Sequence, residues 1–200
     1  MPITLAQAAL KYAKSATTNG PNNIGSGQLS APKSYTPKRD PGERMAASAS
    51  IMHLKTMAPA KGCAMKDVLD YGRQVAKSGA GNCLEQCAAA AVYLSGQNVP
   101  SFHLVSLAPP ADHVFVVIGQ DPAGGKFPDD FSAWNADAII VDPWVGICVK
   151  AQNYPEVWKM KLEVMGAVGQ EMSAASGWKK ADDAYWKTAP LAHAKECFAA

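Results

Sequence analysis

The sequence predicts an α+β domain, because helical and strand patterns occupy different parts of the chain. Apolar residues at helical spacing come first, between residues 43 and 94. Short β-branched runs separated by turn residues follow over 101–151, and a helical pattern returns after Tyr154. The α+β class is defined by this order: helices, then a meander of antiparallel strands, then further helices.

Each predicted helix has a local signal for its start or its end. Gly79 stops the second helix, Gly96 ends the third, and Pro155 begins the helix that follows the strands. The third helix is almost entirely apolar, so we expect it to be buried on most sides. The predicted helices cover 43–58, 64–78, 83–94, 155–169 and 178–188.

Four predicted strands share short length, β-branched residues and turn residues at their ends. They cover 101–107, 113–119, 137–142 and 145–151. A long loop rich in Gly, Pro and Asp, at 120–136, separates the second strand from the third.

Composition and charge limit the classes of partner. The chain of 200 residues is 48% hydrophobic and 18% charged, which is typical of a globular domain with a sizeable core. Its net charge is +2, and Lys and Arg are scattered, which argues against nucleic acid or an anionic membrane as the main partner. The apolar runs are too short for a membrane span.

Five cysteines, an odd number, argue against a disulfide framework and favour a reducing compartment.

The N-terminal region differs in composition from the rest of the chain. Residues 4–14 fit a short amphipathic helix, whereas 15–42 are rich in Ser, Thr, Asn, Gly and Pro. We therefore expect residues 1–42 to form a flexible arm and residues 43–200 to form the folded domain. The first fifteen residues have neither a basic leader nor a long apolar segment, so we expect no cleavable secretory signal.

One cysteine stands at a position typical of a nucleophile. Cys83 follows the turn "SGAGN" and opens the apolar run "CLEQCAAAAVYL". Free N–H groups and the positive dipole end at a helix start stabilise a thiolate, and the same N–H groups can bind an oxyanion. Cys87, one turn later, is expected in the core. No comparable setting surrounds Cys63, Cys148 or Cys197.

A histidine and an aspartate stand at the ends of predicted strands. His113 opens the strand "HVFVVIG", and Asp142 ends the strand "AIIVD" before a proline. If these strands are neighbours, Asp142 can fix the tautomer of a His113 that acts as general base. His103, within a strand, is the rival histidine. The rival carboxylates are Asp129, Asp130 and Asp137.

The segments "GNCLEQCAAAAVYL", "DHVFVVIG" and "VDPW" resemble the papain-like and transglutaminase-like cysteine hydrolase fold. The resemblance is narrower to bacterial effectors and toxins of that fold, such as the YopT-type peptidases and the deamidase domain of the Pasteurella mitogenic toxin. It covers roughly 78–145. It implies a papain-like core, in which the helix bearing the nucleophile packs on a small antiparallel sheet, and a triad of Cys83, His113 and Asp142.

The second oxyanion donor is open, because the oxyanion glutamine of papain has no clean counterpart here. Gln74 lies upstream of the cysteine and Asn82 adjoins it, so both are candidates. Gln86 and Trp144 are candidates for substrate contact. Their ordinary roles would be capping the helix start for Gln86 and packing beside the aspartate for Trp144.

The resemblance implies a cysteine-dependent amide hydrolase that needs no metal or organic cofactor. Deamidation of Gln or Asn side chains on a protein of a target cell is the leading expectation. Peptide-bond cleavage is the alternative within the class, and transglutamination comes third. Such an effector or toxin would be made in a bacterial cytoplasm and exported without a cleavable signal. An immunity protein or a secretion chaperone would be its further partners.

Two alternatives come from other classes. A binding or adaptor module could keep the fold without chemistry, and Cys83 would then be unreactive. A zinc-stabilised domain could use Cys83, Cys87, His103 and His113, although two thiolates separated by one turn of a single helix are not the usual structural-zinc arrangement.

Overall fold

The computed structural model describes residues 3–21, 23–26, 41–174 and 177–199 of the chain. It has the expected α+β architecture. Its helices are α1 Ile3–Ala16, α2 Pro41–Lys55, α3 Met65–Ser78, α4 Cys83–Gly96, α5 Tyr154–Ala167 and α6 Ala184–Ala192. Within the described ranges, no helix has the length and apolar character needed to cross a bilayer.

Six strands form the main sheet, and every pairing in it is antiparallel. They are β2 Phe102–Leu107, β3 Val114–Ile118, β4 Lys126–Phe127, β5 Ile139–Asp142, β6 Ile147–Lys150 and β9 Lys195–Ala199. Their order across the sheet is β4-β9-β2-β3-β5-β6. A second sheet, in the order β1-β7-β8, joins β1 Ile24–Ser26, β7 Gln170–Ala174 and β8 Gly177–Lys180.

Helix α4 lies against the main sheet and is surrounded by other elements, as its apolar sequence predicts. It contacts β3 on one side and packs against α1 and α3 on others. Gly72 of α3 allows a close approach, since a Cβ there would lie 2.3 Å from the carbonyl oxygen of Ala88. The four alanines 88–91 are fully buried, so small side chains let the neighbouring helices pack closely around the helix that begins at Cys83.

The expectation of a flexible arm over residues 1–42 is wrong for residues 3–21 and 23–26. Helix α1 places Ala6, Ala9 and Ala13 in the core, all fully buried, and it packs against α4. Alanines at spacings of three and four form one face of a helix, and α1 packs against α4, β5 and β6. Composition suggested an arm because residues 15–42 are rich in Ser, Thr, Asn, Gly and Pro. Residues 27–40 of the expected arm lie outside the described ranges.

Two further expectations need correction near the C-terminus. The predicted helix over 178–188 is instead strand β8 followed, after a turn, by α6, because Gly177–Lys180 pairs with β7 in a hairpin. Strand β9, which the sequence did not indicate, inserts between β4 and β2 of the main sheet. Both results depend on pairing with other strands, which local patterns do not reveal.

Candidate active site

Cys83 is the first residue of α4, and the turn that presents it is tightly held. Asn82 and Glu85 form a capping box, in which the Glu85 carboxylate accepts a hydrogen bond of 2.8 Å from the Asn82 backbone N–H. The hydroxyl of Tyr71 donates to the other oxygen of Glu85 at 2.7 Å. A Cβ at Gly81 would lie only 2.4 Å from the Glu85 Cβ, so this position requires glycine. These contacts fix the backbone immediately before the nucleophile candidate.

His113 and Asp142 come together because β3 and β5 are neighbours in the main sheet. Val116 lies opposite Val141, which brings the start of β3 to the end of β5. The Nε2 atom of His113 lies 2.8 Å from Oδ2 of Asp142. The side chains are 1% and 0% exposed, so the contact is shielded from water. The sequence-based pairing of these two residues is present in the fold.

The carboxylate of Asp142 has a second donor. Tyr154, the first residue of α5, donates its hydroxyl to the same Oδ2 atom at 2.8 Å. The backbone N–H of Val145 lies 3.5 Å from Oδ1 and partly satisfies the other oxygen. A buried carboxylate needs such partners, since an unpaired buried charge is costly. Burial, with the negative charge of Asp142 next, raises the pKa of the Tyr154 hydroxyl well above its ordinary value, so it remains a donor.

Aromatic rings enclose the imidazole of His113. The rings of Trp144 and Trp158 each lie with their centroids 5.0 Å from that of His113, and Phe115 lies 6.2 Å away. These rings restrict the imidazole to one orientation and exclude water from its faces. The histidine is therefore positioned by packing as well as by its hydrogen bond.

The charge state of His113 is set by opposing effects. Burial by itself lowers the pKa of the imidazole, but the attraction of Asp142, its hydrogen bond and a contribution from Cys83 outweigh burial and raise the pKa to about 10. Nε2 is occupied by Asp142, and Nδ1 has no geometrically complete hydrogen bond among the described residues. Nδ1 is thus the nitrogen that remains for the Cys83 thiol, and such contacts are often long before substrate binds.

A cleft of about 520 Å³ opens at Cys83. Its walls come from six parts of the described chain, including the N-terminal segment and the β7–β8 hairpin. Residues along its walls include Asn23, Lys55, Asn82, Pro110, Trp178 and Trp186. Cys83 is 7% exposed, so the thiol is reachable from the cleft while most of its side chain is packed. The cleft gives a substrate a route to the sulfur.

The candidates for oxyanion or substrate contact lie in different surroundings in the structure. Asn82 lines the cleft, as expected of a residue beside the nucleophile. Gln74 lies on the exposed face of α3 and is not part of the cleft, because Gly72 and Val75 face the core instead. Gln86 is fully buried, and its amide nitrogen donates to the carbonyl of Gly81 at 2.8 Å. Gln74 and Gln86 are therefore not positioned to touch a substrate.

Of the two roles expected for Trp144, substrate contact and packing, the structure shows packing. It is 3% exposed and its ring lies beside His113. Its indole N–H donates to Oδ1 of Asn23 at 2.9 Å, and its backbone carbonyl accepts from Lys14 at 3.2 Å. Two residues of the N-terminal segment thus hold the tryptophan that packs on the candidate base.

The rival histidine and carboxylates lie outside this site. His103 contacts Asp121 at 3.0 Å, and Asp121 is largely exposed. Asp130 caps a short 3-10 turn by accepting from Ser132, and Asp137 is 91% exposed. Asp129 is also exposed. The loop 120–136 therefore supplies no competing partner for His113 among these candidates.

The other cysteines have settings that favour the neutral thiol. Cys87 is fully buried and donates its S–H to the carbonyl of Val114 at 3.3 Å, and burial raises its pKa well above the ordinary value. Burial also raises the pKa of Cys63, Cys148 and Cys197. In the described part of the chain, no three His, Cys, Asp or Glu side chains converge as a metal site, so the zinc alternative has no ligand set there.

Three residues of the site were missed by sequence reasoning. In the sequence, Tyr154 serves only to mark where the predicted helix 155–169 begins. A tyrosine at a helix start next to buried strands is nevertheless a recognisable sign of packing. Asn23 and Lys14 carried no signal, because their partner Trp144 is more than a hundred residues away.

Comparison with known protein families, curated proteins and solved structures found no match.

Proposed function

We propose that this protein is a cysteine-dependent amide hydrolase with a triad of Cys83, His113 and Asp142. The observation that carries the proposal is the convergence of a cysteine at a helix start with a buried His–Asp pair beside an open cleft. Amide hydrolysis by a triad uses these three groups: a cysteine nucleophile, a histidine that transfers protons, and a carboxylate that orients the histidine.

In the proposed reaction, Cys83 attacks as a thiolate while His113 holds the proton. The sulfur bonds to the carboxamide carbon, and the carbonyl electrons move to the oxygen, which becomes an oxyanion. The electrons return, the C–N bond breaks, and His113 gives its proton to the nitrogen, which leaves as ammonia or an amine. A pKa of about 10 keeps the imidazole protonated at neutral pH, which suits this donation.

Hydrolysis of the thioester completes the cycle. After losing its proton, neutral His113 takes one from a water molecule, whose oxygen attacks the thioester carbon. The C–S bond breaks, the acid product leaves, and the proton remains on His113 opposite the Cys83 thiolate. Asp142 holds the imidazole in position throughout and changes no bond of its own.

For the substrate, we propose a Gln or Asn side chain of a protein in a target cell, with the protein itself acting as a bacterial effector or toxin. This part rests on the resemblance of the three motifs around Cys83, His113 and Asp142 to such enzymes. Peptide-bond cleavage uses the same chemistry and is the alternative. An immunity protein or a secretion chaperone belongs to the same proposal, as does export from the bacterial cytoplasm without a cleavable signal.

Thiol labelling tests the proposal without a known substrate. Brief treatment with iodoacetamide near neutral pH, followed by peptide mapping, should modify Cys83 far faster than the other four cysteines. His113→Ala should remove that selectivity, and His103→Ala should retain it. An inert Cys83, with Cys63 or Cys197 modified first, would favour the adaptor class and overturn the catalytic proposal.

Intact-mass spectrometry distinguishes the two reactions. Candidate target proteins, and unfolded casein as a general substrate, are incubated with the wild type and with Cys83→Ala. Deamidation adds about one dalton per event and releases ammonia, whereas proteolysis gives fragments. Mass changes that persist with Cys83→Ala would show that they do not arise from this site.

A further inference from the structure

We propose that the side-chain amide nitrogen of Asn23 is the second oxyanion donor of this site, an inference that rests on the proposed hydrolase function. Acyl transfer at a cysteine develops negative charge on the carbonyl oxygen, and two preorganised donors are the usual means of stabilising it. The start of α4 provides one donor through the backbone N–H of Cys83, which has no partner within its own helix. Among the described residues, the carboxamide of Asn23 is the candidate for the other donor.

The orientation of the Asn23 amide is fixed by Trp144. The indole N–H of Trp144 donates to Oδ1 of Asn23 at 2.9 Å, which identifies the oxygen side of the amide. The Nδ2 group therefore points away from the indole. Among the described residues no acceptor takes a hydrogen bond from it, although Asn23 lines the cleft that contains Cys83. A donor on the cleft wall is thus available to a substrate.

The backbone at Asn23 is held as well. Its carbonyl accepts from the N–H of Ser173 at 3.0 Å, and the next residue, Ile24, pairs with Met172 in the small sheet. Ser173 lines the same cleft. A donor fixed at both its main chain and its side chain loses little entropy when an oxyanion forms, which is the requirement for electrostatic catalysis.

The other carboxamides near the site are committed elsewhere. Asn82 takes part in the capping box of α4, and Gln86 is buried with its nitrogen on the Gly81 carbonyl. Gln74 lies outside the cleft. Asn23 is therefore the cleft-lining carboxamide whose oxygen is anchored away from the helix start, whereas the oxygen of Asn82 is engaged in capping α4.

Two reagents separate this role from a structural one. With p-nitrophenyl acetate, the Cys83 sulfur bonds to the acetyl carbon through an oxyanion, the C–O bond breaks, and p-nitrophenolate leaves with the electron pair. With iodoacetamide, the sulfur displaces iodide at a saturated carbon, and no oxyanion forms. A lost oxyanion donor slows only the first reaction, whereas a displaced His113 or Cys83 slows both.

The experiment compares both rates in the full chain for the wild type, Asn23→Ala, Asn23→Gln and Trp144→Phe. Asn23→Ala should lower the rate of acylation by about 10²-fold while leaving alkylation within about twofold of the wild type. Asn23→Gln, which retains a carboxamide, should recover part of the loss. Trp144→Phe breaks the same Trp144–Asn23 bond but keeps the donor, so its effect on acylation should be smaller. Asn153→Ala, an exposed position outside the cleft, is the matched control.

Three results would count against the proposal in different ways. Unchanged acylation in Asn23→Ala would show that Asn23 is not a donor. An equal loss in both reactions would show that Asn23 only supports the packing around His113. Failure of the wild type to be acylated at Cys83 at all would overturn the proposed hydrolase function, on which the inference depends.

Discussion

Two histidine–carboxylate pairs lie on the main sheet and differ mainly in their surroundings: one joins the start of β3 to the end of β5, and the other joins β2 to the loop after β3. His113 contacts Asp142 at 2.8 Å, and His103 contacts Asp121 at 3.0 Å. The carboxylate of Asp142 is 0% exposed, whereas that of Asp121 is 77% exposed and also accepts from Ser101. Similar distances thus have different energetic consequences, because the attraction between charges is weakened by nearby water. A contact distance alone does not identify a catalytic pair.

The position of the two pairs relative to the nucleophile adds a second difference. His113 precedes β3 and lies next to the start of α4, where Cys83 influences its pKa. His103 lies on β2 opposite Val117, and Cys83 is absent from its contacts among the described residues. The first pair therefore lies beside a thiol, whereas the second joins β2 to the loop after β3.

The largest expected effect comes from removing each histidine in turn. His113→Ala should reduce turnover by about 10⁴-fold or more, comparable to Cys83→Ala, because neither the Cys83 thiol nor the water that attacks the thioester would have a proton acceptor. His103→Ala should retain near wild-type turnover. The rates are measured with p-nitrophenyl acetate, and circular dichroism checks that both variants fold. A large loss with His103→Ala and none with His113→Ala would reverse the assignment of the pairs.

Replacing the carboxylates should have the next largest effect. Asp142→Asn keeps the shape of the side chain but changes its hydrogen bonding, so we expect a loss of about 10²–10⁴-fold in turnover with the fold retained. Asp121→Asn should be near neutral. Full activity in Asp142→Asn, together with loss of activity on changing Asp130 or Asp137, would place the third member in the segment between β3 and β5.

The buried pair should also give stability a pH dependence. The pKa of His113 is raised to about 10 from an ordinary value of 6.5, so its contribution to stability is complete below about pH 6.5 and is lost as the pH rises through 10. Between pH 6.5 and about 8.5, the free energy of unfolding should fall by up to about 1.4 kcal/mol per pH unit. The pKa values of Tyr154 and Cys87 are raised as well, so these groups titrate above this window.

Urea denaturation across that range measures the slope. Asp142→Asn should flatten it, since the attraction that holds the proton on His113 is removed. His103→Gln serves as the control and should keep the wild-type slope. A slope that persists unchanged in Asp142→Asn would show that another group is responsible.

The smallest expected effect concerns the second donor to Asp142. Tyr154→Phe removes the hydroxyl that bonds Oδ2 and keeps the ring that packs near Phe115. We expect a several-fold loss of turnover, because the carboxylate keeps His113 but loses part of its orientation. Tyr93→Phe, whose ring lies beside Tyr12 and outside the cleft, is the matched control. Equal effects of the two variants would deny Tyr154 a special role.

Some features of the fold and site were predictable from local sequence. The α+β class followed from the separation of helical and strand patterns. The position of Cys83 followed from a glycine-containing turn before an apolar helix, and those of His113 and Asp142 from the edges of β-branched runs. Each of these signals lies within a few residues of the position that it marks. The signals arise from local backbone preferences and from the periodicity of the hydrophobic residues.

Other features had no local signal. Strand β9 joins the sheet by pairing with strands far away in sequence, and α1 packs against α4. Asn23 and Lys14 reach the site only because the N-terminal segment lies beside Trp144. Polar residues in a Ser-, Gly- and Asn-rich stretch look alike in the sequence, so the one that lines a cleft is not distinguished from its neighbours.

The sequence by itself determined the α+β class, most of the helices and strands between residues 43 and 169, and where Cys83, His113 and Asp142 stand at the ends of those elements. Only the tertiary structure decided which histidine has a shielded carboxylate, which carboxamide faces the cleft and which residues surround the imidazole. The physical reason is that helix starts and strand edges are set by residues close in sequence. Burial, and with it the strength of a charge–charge contact, is set by everything that packs around a group.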